Sequence, residues 1–196
     1  DKLAKENGYF NPDQFSNPLN VECHFVTTAN EIIKQVGKPI DAFVAGTGTG
    51  GTLIGVAKAL KDKYPKIHIV AVEPEESAVM SGGEAGPHYI QGIGDGFIPA
   101  IASGTNNGRH EIIDEVITVS SKCALDMAQK INEEKGLCVG ISSGANYCAA
   151  EKLAKKFETV VTIFPDGFAK YQSFGLKHSC GRCPYEKKRV NVLCHD

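Results

Sequence analysis

Residues 46 to 52 read Gly46-Thr47-Gly48-Thr49-Gly50-Gly51-Thr52. The run lies between an apolar stretch, Asp41-Ala42-Phe43-Val44-Ala45, and a helix-like stretch from Leu53 to Lys63. Backbone amides at a helix start form an anion site when no side chains block the approach, and the three threonine hydroxyls add donors. A phosphate is the guest that this chemistry suits.

Outward from this loop the pattern alternates helix and strand. Upstream, a helix is expected from Ala29 to Val36, capped by Thr28 and ended by Gly37, followed by a buried-type strand from Ile40 to Ala45. Downstream, an amphipathic helix from Thr52 to Lys63 and an apolar strand from Ile67 to Val72 complete a βαβ unit. Residues 81 to 110 hold the run Ile90-Gln-Gly-Ile-Gly-Asp-Gly-Phe97, with more glycine than a packed element tolerates, and read as a long functional loop. A strand from Glu115 to Val119 follows, then a helix capped by Ser120 and stopped at Gly136. Ser142-Ser143-Gly144 opens a helix from Ala145 to Lys156, and a strand from Thr159 to Phe164 closes the set. Repeated βαβ units imply an α/β fold with a mostly parallel sheet covered by helices on both faces.

Composition excludes some functions. The net charge of -2 gives no reason to expect nucleic acid or an anionic membrane surface as a partner. No apolar stretch is long enough to cross a bilayer. Cys23, Cys123, Cys138 and Cys148 sit singly in or beside apolar patterns, as buried thiols of a reducing compartment do, so a cytoplasmic location is expected. The chain opens at Asp1-Lys-Leu-Ala-Lys5 in what reads as mid-helix, without a Met, which suggests a fragment or a processed piece and leaves targeting illegible.

Past Ser173 the texture changes to Lys177-His-Ser-Cys-Gly-Arg-Cys-Pro-Tyr-Glu-Lys-Lys-Arg189. Residues 174–196 are therefore read as a basic tail outside a domain of residues 1–173. His178, Cys180, Cys183, Cys194 and His195 have the residue types of a zinc site, but the spacing is irregular and only one pair is CxxC. A solvated tail, or an unrelated reading frame joined to the coding sequence, fits better, and no metal is expected.

The glycine loop admits several ligands. Gly46-x-Gly48-x-x-Gly51 after a strand satisfies the dinucleotide fingerprint, and Glu73 ends the next strand where a ribose-binding acid would stand. An NAD site, another phosphate ligand and a plain turn stay open on that motif alone. Thr47, Thr49 and Thr52 suit a terminal phosphate monoester better than a bridging diphosphate, and Pro74 directly follows Glu73. Ser142 stands at a helix start, where its hydroxyl caps the helix or faces a ligand at the carboxyl edge of the sheet. His24 and His88 read as surface or hydrogen-bonded loop histidines, and Asp95 and Asp166 as turn residues.

Six ordered motifs carry a resemblance. They are Gln14-Phe-Ser-Asn-Pro-Leu-Asn20, Gly46-Thr-Gly-Thr-Gly-Gly-Thr-Leu53, Val72-Glu-Pro74, Gly86-Pro-His-Tyr-Ile-Gln-Gly-Ile-Gly-Asp-Gly-Phe-Ile-Pro99, Gly140-Ile-Ser-Ser-Gly-Ala145 and Phe164-Pro-Asp-Gly167. Together, from about Gln14 to Ser173, the chain resembles the later part of the cysteine synthases, the O-acetylserine sulfhydrylases of the fold-type II pyridoxal-phosphate enzymes. The resemblance implies their three-layer parallel-sheet fold, of the tryptophan synthase β type, present in part. It implies pyridoxal 5'-phosphate as cofactor, with Gly48, Thr49, Gly50, Gly51 and Thr52 on its phosphate and Ser142 at its pyridine nitrogen. It assigns Gln14 to the substrate carboxylate and Gly92 to the pocket wall. A neutral serine hydroxyl leaves the ring nitrogen largely unprotonated, a tempered electron sink that favours loss of a β-substituent. In the family, acetate leaves O-acetylserine in this way and sulfide replaces it. A homodimer and docking by a serine acetyltransferase are further implications.

One departure limits these expectations. The family's Schiff-base lysine and its Thr-Ser-Gly-Asn-Thr loop lie upstream of the matching motifs, and neither is found in this chain; Lys122 stands at a helix start and is not promoted to the role. No catalytic residue is assigned. The reading is a cysteine synthase parent whose later part, alone, lacks the apparatus for turnover. An NAD-dependent oxidoreductase with a functional Glu73, and a non-catalytic remnant, are the alternatives.

Overall fold

A computed structural model describes residues 2–176. Its centre is a parallel sheet of four strands, β1 (Ala42–Gly46), β2 (His68–Pro74), β4 (Glu115–Val119) and β5 (Val160–Thr162), in the order β4-β2-β1-β5. Helix α4 (Gly51–Lys63) joins β1 to β2, while α5 (Ser121–Lys135) and α6 (Ile141–Leu153) carry the chain from β4 back to β5. Helices α1 (Lys2–Asn7), α2 (Pro18–Val26) and α3 (Thr28–Val36) precede the sheet, and the short strand β3 (Ser103–Asn106) lies in the long loop after β2.

Side chains alternate across the pleat, so each strand feeds two cores. Ala42, Val44, Val70 and Val72 point to one face and pack with Ala124, Ala128, Ile141 and Ala145 of α5 and α6. Phe43, Ala45, Ile69 and Ala71 point to the other and pack with Leu53, Val56 and Leu60 of α4. This is the expected three-layer α/β arrangement. Between β1 and β5 the strand order reverses, and in open parallel sheets the crevice at such a reversal, beyond the carboxyl ends of the strands, is where ligands bind.

Several expected boundaries shift. The strands expected at 40–45, 67–72 and 159–164 are Ala42–Gly46, His68–Pro74 and Val160–Thr162. The cap of α3 is Thr27 rather than Thr28, and no side chain caps the helix: the Thr27 hydroxyl donates to the Cys23 carbonyl at 2.6 Å, and the Thr28 hydroxyl is 2.8 Å from His24 Nδ1. Gly37 ends α3 in the left-handed conformation, as Gly136 ends α5, and Ser120 Oγ caps α5 by accepting the Cys123 amide. Helix α6 begins at Ile141, four residues before the expected Ala145, and Gly140 is its cap. Helix α2 had no counterpart in the sequence reading: Asn17 caps it, accepting the Leu19 amide at 3.0 Å, and Pro18 supplies the preset first turn.

Packing continues past residue 173, since Phe174 packs against the core beside α5 and α6 and Leu176 is buried within it. The cysteine and histidine residues weighed as zinc ligands lie outside the described residues.

Candidate anion-binding cleft

A cleft of about 720 Å³ opens at the reversal point. Its floor is the loop between β1 and α4. Gly48, Thr49, Gly50 and Thr52 line it from that side, Gln91 and Gly92 from the long loop, and Ser142 from the first turn of α6. The structure therefore brings together six of the residues singled out in sequence, with Gln91 beside them. Gly51 lies just behind this wall, buried against Asn20. Gln14 does not line the cleft. It is exposed, and its carbonyl accepts Asn20 Nδ2 at 2.9 Å.

Loop and helix are shaped for a ligand that approaches backbone. The first intrahelical bond of α4 runs from the Ile54 amide to the Gly50 carbonyl, so the amides of Thr52 and Leu53 have no partner within the helix. Gly50 holds a φ of +87°, which bends the chain into the helix. Of the three threonines, Thr49 and Thr52 line the cleft, whereas Thr47 is buried behind the loop with its Oγ1 lacking a hydrogen-bond partner among the described residues. The Thr47 carbonyl accepts the Gly94 amide at 3.1 Å, which fixes the long loop to the glycine loop.

Ser142 is buried, and of the two roles left open for it the capping one is not observed: the cap position belongs to Gly140 and no side chain bonds the helix amides there. Near the amino end of α6, Asp166 lines the cleft. The carboxylate accepts the Tyr171 hydroxyl at 2.5 Å and pairs with Lys170 at 3.1 Å, while its Oδ1 is packed against Gly140. Burial and this hydrogen bond push the Tyr171 hydroxyl well above its ordinary range. Asp166 thus does more than hold a turn.

Glu73, the acid of the dinucleotide fingerprint, faces elsewhere. It is buried, and its two oxygens accept the amides of Met80 and Ser81 at 2.8 and 2.9 Å. A carboxylate spent on two backbone amides has little left for a ribose. His88 is the hydrogen-bonded loop histidine expected, with Nε2 2.9 Å from the Gly94 carbonyl.

His24, also read as a surface or loop residue, instead stands on α2 and lines the cleft. Its Nε2 is 3.1 Å from Thr52 Oγ1. Burial lowers its pKa. Asn146, on α6, reaches the same cleft, donating from Nδ2 to the Ile163 carbonyl at 2.9 Å. The missed signal for His24 was Asn17-Pro18: read as a helix start, it places Asn20 and His24 four apart on one face.

The family model described as "Pyridoxal-phosphate dependent enzyme" matches residues 1–166. The chain belongs to this pyridoxal-phosphate-dependent enzyme family. Within it, cysteine synthase from Staphylococcus aureus (strain Mu50 / ATCC 700699) is 52% identical over 179 residues, which are 89% of this chain and 56% of that protein. Among solved structures, cysteine synthase from Entamoeba histolytica superposes with a TM-score of 0.81 at 43% identity, over 89% of this chain and 52% of that one. The O-acetylserine dependent cystathionine beta-synthase from Helicobacter pylori gives 0.81 at 40% identity, over 89% and 56%. The chain thus spans about half the length of the relatives it matches. No helix among the described residues is long and apolar enough to cross a membrane.

Proposed function

We propose that this chain carries the cofactor-phosphate half of a cysteine synthase, a pyridoxal-phosphate enzyme that replaces the acetate of O-acetylserine with sulfide to form L-cysteine. The observation that carries the reading is the loop from Gly48 to Thr52. It joins a glycine backbone open to the cleft, two threonines in the cleft wall and the free amides of the first turn of α4, at the strand-order reversal of a parallel sheet. These donors fit a doubly charged phosphate ester, and the positive end of the α4 dipole adds to them.

In this reading Gly48, Thr49, Gly50, Gly51 and Thr52 hold the phosphate. Ser142, across the cleft, meets the pyridine nitrogen with a neutral hydroxyl, and Gly92 forms the pocket wall. Gln14 reaches the substrate carboxylate from the segment before α2, outside the cleft wall described above. Bound pyridoxal phosphate supplies an electron sink for the substrate's α-carbon. Ser142 cannot balance a full positive charge on the ring nitrogen as a carboxylate would, so the proton there is weakly held and departure of a β-substituent is favoured over transamination.

Lys170 lines the cleft, paired with Asp166 at 3.1 Å, but neither it nor Lys122 lies in the family's Schiff-base motif, which is not found in this chain. The reacting amine is therefore assigned outside this chain, and the chain alone is expected to be inactive. Residues 1–173 then belong mainly to the phosphate-binding domain, whose core also takes in Phe174 and Leu176, and the sequence beyond them is divergent. A homodimer, a docked serine acetyltransferase and a cytoplasmic setting complete the reading.

Assaying L-cysteine formation from O-acetylserine and sulfide tests this, first with the 196-residue chain and then with that chain joined to the upstream half of a close relative. The expected result is no product from the first and product from the second. Robust turnover by the chain alone would overturn the division of labour, and an inactive chimera that binds no cofactor would overturn the function.

A further inference from the structure

Helix α4 carries glycine at 51 and at 55, four residues apart on one face, and that face meets α2. A Cβ at 51 would stand 2.0 Å from Asn20 Oδ1; one at 55 would stand 2.4 Å from the Val21 carbonyl and 2.8 Å from His24 Cβ. Two bare positions therefore let α2 approach α4 more closely than any side chain would permit. This closeness brings Asn20 and His24, themselves four apart, against the two threonines of the loop. Asn20 Nδ2 donates to Thr49 Oγ1 at 3.0 Å, and His24 Nε2 lies 3.1 Å from Thr52 Oγ1.

The protons can be counted. A hydroxyl has two acceptor sites and one proton. Thr49 Oγ1 accepts from Asn20 Nδ2 and, at 3.3 Å, from the Gly51 amide, so what remains to it is the proton. A neutral imidazole has one donor and one acceptor. With the proton on Nε2, His24 donates to Thr52 Oγ1 and its Nδ1 accepts the Thr28 hydroxyl, 2.8 Å away, leaving the Thr52 proton free. The other tautomer draws that proton back to the ring and turns a lone pair toward the ligand.

We infer that Asn20 and His24 are positioning residues for a phosphate monoester: they fix the Thr49 and Thr52 hydroxyls as donors aimed into the cleft. The inference rests on the reading of this loop as the phosphate cup and adds to it the element that sets its polarity. Donors oriented before the ligand arrives need no reorganisation on binding. Helix α2 thereby links the Gln14-to-Asn20 segment to the cup, since Asn20 Nδ2 also holds the Gln14 carbonyl.

NMR of the ¹⁵N-labelled 196-residue chain titrated with pyridoxine 5'-phosphate tests this, with inorganic phosphate as the simpler probe. Amide shifts of Gly50 to Leu53 give the Kd, and the imidazole nitrogens of His24 report the tautomer. Binding is expected to gather His24 into the Nε2–H form. Asn20→Ala and His24→Ala are each expected to weaken binding about tenfold, while His24→Gln, whose amide replaces the Nε2 donor, stays within about threefold of the parent. Because truncation in α2 can disturb its packing, a cycle with Thr52→Val carries the decision: on that background His24→Ala is expected to cost nothing more. Undiminished binding by the alanine variants, fully additive losses, or an Nδ1–H ring in the bound state would overturn the inference and leave the cup standing. A parent chain that binds neither probe would overturn the cup and the inference together.

Discussion

Gly48 lies against the carbonyl oxygen of Gly92, so closely that a Cβ at 48 would stand 2.3 Å from it. Two loops far apart in sequence thus meet backbone to backbone at the floor of the cleft, and the neighbouring bond from the Gly94 amide to the Thr47 carbonyl locks them together.

That contact predicts the cost of one methyl group. A carbonyl held in a tied loop cannot swing aside as a flexible side chain could, so Gly48→Ala must part the two loops. The expected loss of stability is about 1–3 kcal/mol, with weakened binding of phosphate esters. Thermal unfolding and ester titration of the purified variant check both.

Glu73 separates a structural carboxylate from a ribose-binding one. Glu73→Ala leaves the amides of Met80 and Ser81 without their acceptor in a buried setting. The expected cost is about 2 kcal/mol or more in unfolding free energy. Calorimetry with NAD should show no binding to the parent chain and none to the variant; NAD affinity lost on substitution would mean that the carboxylate serves a nucleotide.

Two histidines set a stability change with pH. Burial lowers the pKa of His24 and of His110 below the ordinary 6.5. The unfolded chain therefore takes up protons first as the pH falls, and stability present above 6.5 is lost as the pH drops toward the folded-state values. The melting temperature should fall over this window, and His24→Gln should remove part of that slope. A flat profile in the parent would contradict the burial of both rings.

The thiols should react unequally. Cys23 and Cys123 are exposed, whereas burial pushes the Cys148 thiol up to about 12. At pH 8 iodoacetamide should modify the exposed pair well before Cys148, as peptide mapping by mass spectrometry can show.

Most of the fold was legible because its signals are local. Apolar runs such as Ala42 to Ala45, buried on both faces, and glycines that end helices, at 37 and 136, identify themselves without any knowledge of neighbours. The glycine loop and Ser142 were legible as site residues for the same reason. What escaped was set by packing. Helix α2 is short, and its cap, Asn17-Pro18, was absorbed into a motif, so His24 was left without a helix and its bond to Thr52 could not be foreseen. Thr28 is the first residue of α3 rather than its cap, and its hydroxyl meets His24 at the end of α2, a helix the sequence did not reveal. Asp166 is five residues or fewer from both of its side-chain partners, Tyr171 and Lys170, yet only the turn between them reveals that all three meet at the cleft.

The central claim is that the loop from Gly48 to Thr52 binds the phosphate of pyridoxal phosphate. Isothermal calorimetry of the 196-residue chain with pyridoxine 5'-phosphate and with phosphate-free pyridoxine tests it most directly. The account predicts measurable binding of the phosphate ester, a much weaker response to pyridoxine, and loss of the difference in Thr52→Val combined with Thr49→Val. Equal binding of the two compounds, or an ester affinity indifferent to both threonines, would contradict it.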